Sequence, residues 1–254
     1  MKNSKPLISI LLPVHNAEKY LESCLNSLFN QSYKNIEIIA IDDKSSDRSA
    51  KILRSLKKQD KRLRIYQNVK RYGFSLTLNR ATKRVKGQFI AVMGTEDAYL
   101  PTKIKKQVKF LQTHPDVVAV GTQCQFIDEN GKKLAKSNFP AQNHNIYASP
   151  LHGISMQFET VLINKMLLPK DVIRFKSNFF PFIYSDLMMK ILPYGKFANI
   201  NEFLHFHRNR PEAYFSDLKH NISSLIKLWI KSLTFYDYDF NRSFFSPLIR
   251  TKTS

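Results

Sequence analysis

Two clusters of carboxylates close apolar runs in this chain: Asp42, Asp43 and Asp47 in IDDKSSD (41–47), and Glu96 and Asp97 in GTED (94–97). Divalent cations such as magnesium or manganese take carboxylate and phosphate oxygens together. A fold that gathers the ends of these runs around one crevice therefore makes a seat for a metal-bound diphosphate. The plainer reading of either cluster alone is an acidic turn that caps a following helix. The sequence holds only seven glycines and no G-x-G-x-x-G or G-K-[ST] run, so dinucleotide-dehydrogenase and P-loop chemistry lose their main support. His205 and His207 share a strand face at a spacing of two, but no cysteine or carboxylate at zinc-like spacing accompanies them.

The elements that must position these residues follow an α/β alternation. LISILLPV (7–14) reads as a buried strand. The next segment carries Tyr20, Leu21, Leu25, Leu28 and Phe29 on a helical period, and IEIIAI (36–41) is a second strand. A helix is expected from Ser46 as its cap to about Lys58, followed by a short strand at 63–66. The pattern then predicts a helix over 75–85, a break at Gly87 and a third buried strand in QFIAVM (88–93), ending at the second acidic cluster. Ligand chemistry in open α/β sheets gathers at such strand ends. Farther on come a helix over 103–113, a strand VVAVGTQCQFID (117–128), a hairpin turn in DENGKKL, and a non-periodic stretch over 138–155 that reads as a mobile loop. MQFETVLIN (156–164) reads as a strand, SDLMMKIL (185–192) as a helix, and FLHFHR (203–208) as a last strand.

At 254 residues, with 43% hydrophobic and 24% charged residues, the chain has the composition of a folded, enzyme-sized protein. Forty basic against 20 acidic residues give a net charge of +20, a field that draws phosphates or an anionic surface. Its two cysteines, Cys24 and Cys124, exclude a disulfide scaffold and read as core residues of a protein in a reducing, cytoplasmic setting. The longest early apolar run is far below the ~20 residues a membrane span needs.

The conjunction and order of these motifs carry a family resemblance. ISILLPVHNAEKYLESCLNSLFNQSYKNIEIIAIDDKSSDRS and RYGFSLTLNRATKRVKGQFIAVMGTEDAYLPTKIKKQVKFLQTHPDVVAVGTQ resemble the family 2 inverting glycosyltransferases of the GT-A fold, closely to about residue 135 and patchily to 210. The resemblance implies a three-layer α/β/α, nucleotide-diphospho-sugar transferase-like fold with a mostly parallel central sheet over residues 1–215. It implies transfer of a sugar from a nucleotide-diphosphate donor to a hydroxyl of a glycan or lipid-linked acceptor, with inversion, in surface polysaccharide or lipopolysaccharide synthesis. A divalent cation, manganese or magnesium, assists. Carried over by residue, Pro13, Val14, His15, Asn16, Asp42 and Asp43 line the nucleotide, while Arg71, Asn79, Thr95 and Arg208 approach the donor. Glu96 and Asp97 hold the metal, although the family's Asp-x-Asp-Asp stands here as Gly94-Thr95-Glu96-Asp97. The family's Glu-Asp pair, which supplies the catalytic base, falls on Ile183-Tyr184. Asp186, two residues later, is the expected base if the register shifts. These departures also motivate a catalytically silent relative that binds a nucleotide sugar or glycan without turnover.

Residues 216–254 form a separate appendage. Leu218, Ile222, Leu225, Ile226, Trp229 and Leu233 lie on one face of a helix, followed by a basic and aromatic stretch. This segment either covers the domain's own sheet or meets an anionic membrane surface from the inner face. The basic runs at 57–64 and 103–109 read as solvated faces, and no nucleic-acid-binding motif accompanies them.

Overall fold

The structure is a computed structural model, describing residues 5–146, 156–176, 183–208 and, within 223–234, residues 223, 226, 227, 230, 231 and 234. Its first half alternates β1 (Ile8–Val14), α1 (Leu21–Phe29), β2 (Ile36–Asp42), α2 (Ser49–Gln59), β3 (Leu63–Gln67), α3 (Phe74–Thr82) and β4 (Phe89–Val92). The second half adds β5 (Ala98–Tyr99), α4 (Lys103–Thr113), β6 (Val117–Ile127), β7 (Lys133–Lys136), a short α5 (Asn143–Ile146), β8 (Leu162–Asn164), α6 (Ile183–Ile191) and β9 (Lys196–Arg208). The strands form a single sheet in the order β3-β2-β1-β4-β8-β6-β9-β5, with β7 beside β6. Strands β1 to β4 run parallel, and the mixed pairings begin where β8 meets β4 antiparallel.

Strand alternation explains the layers. Ile8, Ile10, Leu12 and Val14 of β1 join Ile36, Ile38 and Ala40 of β2 in one core, capped by α1, α2 and α4. Leu11, Ile39 and Ile41 point to the opposite core, closed by α3 and α6 through Leu78, Ala81, Leu187 and Met188. Both faces of the sheet are therefore covered, which is why these strands read as continuous apolar runs rather than alternating ones. Pro13 is tolerated in so central a strand because it lies beyond the last β1–β4 pair, Leu11↔Val92. Cys24 and Cys124 are buried and free, as core residues.

Several elements differ from the sequence expectation. Helix α2 begins at Ser49, without Ser46 as a cap, because Asp47 Oδ1 accepts from Ser49 N (2.9 Å) and Oδ2 from Glu18 N (2.9 Å). Residues 156–161 are not strand. A 3-10 turn at Phe158–Thr160 precedes the three-residue β8. Strand β9 starts seven residues early, carried by its long parallel ladder with β6. The 138–155 stretch contains α5, and residues 147–155 lie outside the described set, as does most of the tail. Ile226, placed on the apolar face from sequence, is about half exposed.

Candidate active site at the carboxyl ends of the parallel strands

The loops leaving β1 and β2 are stitched into one rim. Asp43 N donates to Val14 O (2.7 Å), and His15 Nδ1 lies 3.0 Å from Asp43 O. Asn16 N donates to Ser45 Oγ (3.1 Å), while Asn16 Oδ1 accepts from Ser46 N (2.9 Å). Asn16 and Lys44 both adopt left-handed backbone (φ 47° and 58°), a conformation asparagine tolerates better than most residues and one that clusters at functional sites. Pro13 and Val14 are buried within β1, and Asn16 is exposed on the lip.

Both strand-end aspartates are buried and held by the protein. Asp42 Oδ1 accepts from Ser45 N (3.1 Å) and Oδ2 from Gln67 Nε2 (3.0 Å). Asp43 accepts from Asn68 Nδ2 (2.7 Å), Tyr72 N (2.8 Å) and Gly73 N (2.8 Å). Burial pushes the Asp43 carboxyl up, but these donors outweigh it and hold it below the ordinary carboxylate value. Asp43 thus shapes the 68–73 loop, on which Arg71 is exposed beside the rim. Asn79 is held by the Phe175 backbone: its Nδ2 donates to O (2.7 Å) and its Oδ1 accepts from N (2.8 Å), which engages one bond at each end of the side chain.

The second cluster is rebuilt by strand pairing. β5 runs antiparallel to β9 in the register Ala98↔Phe206 and Tyr99↔His205. Continued one step, this register sets Asp97 against His207, and the spacing of two puts His205 on the same face. Asp97 Oδ2 lies 3.0 Å from His205 Nε2 and 3.1 Å from His207 Nδ1, while Oδ1 accepts from Arg208 N (3.0 Å). Burial opposes protonation of both rings. At His205 it prevails and pushes the value down to about 4, whereas at His207 the Asp97 hydrogen bond and charge carry it up to about 9. Burial also works against the Asp97 anion, but the two imidazoles hold its carboxyl well below the usual range. Among the described residues these three form the cluster able to hold a metal ion. Arg208 Nε donates to Glu96 O (3.1 Å), its Nη1 to Asp128 O, and its guanidinium lies 4.1 Å from the Tyr20 ring. It ties three segments together. Thr95 and Glu96 are half-buried on the turn between β4 and β5.

This geometry does not reproduce the Asp-x-Asp-Asp ligand set. Position 94 has no carboxylate, and Asp97 turns toward β9 rather than pairing with Glu96. A side chain at Gly94 would put Cβ 3.1 Å from Asp97 Oδ2 and 3.9 Å from Glu159 Cγ. Glu159, which sequence reasoning passed over inside an expected strand, therefore borders the space vacated at Gly94. Burial raises its carboxyl above the ordinary value, His207 and Asp97 act on it electrostatically, and Gln157 Nε2 donates to it at 2.6 Å. At the family's base pair stands Tyr184, stacked on Phe158 at 4.0 Å.

Asp186 has the partners of a structural ion pair. It is fully buried on α6, with carboxylate oxygens 2.5 Å from Lys190 Nζ and 2.6 Å from Lys231 Nζ. A base must touch the acceptor hydroxyl, and a sealed carboxylate between two ammonium groups is not placed to do so. Lys231 belongs to the tail, so this contact ties that residue to α6.

Strand-end loops joined into a rim on a doubly covered α/β sheet define a GT-A, nucleotide-diphospho-sugar transferase-like protein. Residues 9–176 match Glycosyl transferase family 2, and the chain belongs to that family. It is 32% identical over 146 residues to an uncharacterized glycosyltransferase of Haemophilus influenzae, covering 58% of this chain and 45% of the relative. It is 32% identical over 111 residues to the putative teichuronic acid biosynthesis glycosyltransferase TuaG of Bacillus subtilis, covering 44% of each. The chain thus spans less than half the length of these two curated relatives. The crystal structure of S. aureus TarS 1-349 in complex with UDP-GlcNAc superposes with a TM-score of 0.72 over 90% of this chain and 67% of that one, at 19% identity.

Proposed function

We propose that this chain transfers a sugar from a nucleotide-diphosphate donor to a hydroxyl of a glycan or lipid-linked acceptor, inverting the anomeric centre, in synthesis of a surface polysaccharide. The observation that carries the reading is the rim of residues 13–16 and 42–46, at the strand ends of a family 2 chain. UDP-GlcNAc bound to TarS and the pathway in the name of TuaG support the donor and product classes. In this reading the rim and the 68–73 loop orient the nucleotide, and Arg71 offers a planar fork of donors to the diphosphate. Inversion needs a carboxylate that takes the hydroxyl proton on the side opposite the leaving group. We assign that proton to Glu159, which borders Gly94 beside Tyr184 and is kept basic by burial.

Calorimetric titration of UDP, GDP and dTDP identifies the base, and a panel of the corresponding sugars then reports turnover. Binding of a nucleotide, with turnover abolished in Glu159→Gln while nucleotide affinity persists, supports the reading. The absence of binding by every nucleotide sinks it. The loss of family carboxylates at Gly94 and Tyr184 favours a second reading, a silent module that binds a nucleotide sugar or glycan, and binding without turnover in the wild type selects it. Among the described residues no helix is long and apolar enough to cross a membrane. Peripheral attachment on the inner membrane face, through the basic surface, belongs to the same proposal and is tested by flotation with anionic vesicles.

A further inference from the structure

The Asp97 carboxylate is presented like a ligand. Arg208 N fixes Oδ1, so Oδ2 is aimed at both imidazoles, and all three potential ligand atoms lie within 4.8 Å of one another. Outer hydrogen bonds of this kind orient metal ligands. Asp97 and His205 are buried, and His207 is 21% exposed at the mouth of the cluster, giving an ion a way in. Gly94 lies close against Oδ2, where even a Cβ would stand only 3.1 Å away, so the absent side chain spares the carboxylate a crowding group. Two imidazole nitrogens with one carboxylate suit zinc and its neighbours. Magnesium prefers an all-oxygen octahedron and keeps its waters.

We propose that Asp97 Oδ2, His205 Nε2 and His207 Nδ1 hold a divalent transition-metal ion of the zinc class, in a seat that keeps the last carboxylate of the Asp-x-Asp-Asp stretch and takes its other two ligands from strand β9. The seat is a property of the folded chain alone and does not depend on sugar transfer. Its position one residue past Glu96 and beside Glu159 sets the ion next to the proposed donor pocket.

The full chain, stripped with chelator, is titrated with zinc and with cobalt in the absence of nucleotide. Saturable binding is expected, with visible cobalt absorption characteristic of nitrogen and oxygen ligands and no displacement by a large excess of magnesium. His207→Ala, at the accessible edge, weakens zinc binding more than about tenfold, because even outer-shell partners of metal ligands are worth 10–100-fold, while Glu96→Gln leaves it unchanged. Anomalous diffraction from zinc-soaked wild-type crystals needs no variant and is expected to give a peak among the three ligand atoms. Absence of zinc binding, unaltered affinity in His207→Ala, displacement by equimolar magnesium, or a peak elsewhere each overturns the proposal. No sugar nucleotide is present, so a wild type that binds zinc but turns nothing over fails only the transferase reading.

Discussion

Asp43 and Gly73 are joined across two loops by a 2.8 Å hydrogen bond from the Gly73 N–H to Oδ2, in a backbone conformation (φ 84°, ψ 168°) that only glycine adopts without strain. Nothing lies within 4 Å of where a Cβ would stand, so the cost of a side chain there is conformational rather than steric. Gly73→Ala is expected to lose about 1–3 kcal/mol, seen as a lower urea midpoint. It also weakens nucleotide binding, because the N–H of residue 73 leaves Asp43. An unchanged midpoint with unchanged affinity would show that the 68–73 loop adapts freely.

Asp186→Ala tests the ion pair on α6. Removing a buried carboxylate takes the counter-charge from Lys190 and Lys231, whose ammonium groups burial already disfavours. Breaking a buried pair from one side costs about 3–5 kcal/mol. The partly exposed lysines place this pair toward the lower end. The expected phenotype is a large drop in melting temperature with nucleotide affinity retained in the folded fraction. A variant that melts normally but cannot turn over would instead restore Asp186 as the base.

Asn79→Ala separates architecture from donor recognition in the same way. The substitution leaves the Phe175 N–H and carbonyl without their partner, a penalty of about 1–3 kcal/mol for each buried group that water does not reach. Thermal unfolding is expected to shift down while calorimetric affinity for nucleotide stays within error. A loss of affinity without a loss of stability contradicts this assignment.

What could be read from the sequence follows from locality. The β1-α1-β2 unit is carried by short-range periodicity, and Ile8, Ile10 and Leu12 alternate with Leu11 between two cores just as a buried parallel strand requires. Residues 196–200 are strand because β6 pairs with them, and Asn201 and Glu202, which carry no strand signal of their own, fall in the irregularity before the pairing resumes at Phe203. The same distinction governs the site. The strand ends at Asp42 and Asp43 were visible, and so was the shared face of His205 and His207. Their carboxylate partner lies 108 positions upstream of His205 and arrives through the two-residue strand β5. Glu159 was hidden for a related reason, because a 3-10 turn replaces the expected strand and nothing local marks it as facing Gly94.

Lys103 gives the clearest pH signature. It is fully buried, with Nζ 3.0 Å from Gln107 Oε1 and 3.8 Å over the Tyr99 ring. Burial pushes the amine well below its ordinary value, and the charge of Asp97 opposes this only in part. A lysine whose folded-state value lies below its unfolded one means that the unfolded state binds more protons between the two, so this group's contribution to stability rises with pH across that interval. The contribution approaches about 1.4 kcal/mol per pH unit where the folded group is deprotonated. Lys103→Met keeps much of the side-chain volume and removes the titration. Urea unfolding of both proteins from about pH 6 to about pH 8 is expected to give a gap that is largest at the acidic end, with the methionine variant the more stable, the contribution of His207 being common to both proteins and cancelling in the difference. Parallel curves would mean that Lys103 stays charged inside the protein, and the burial argument would then fail.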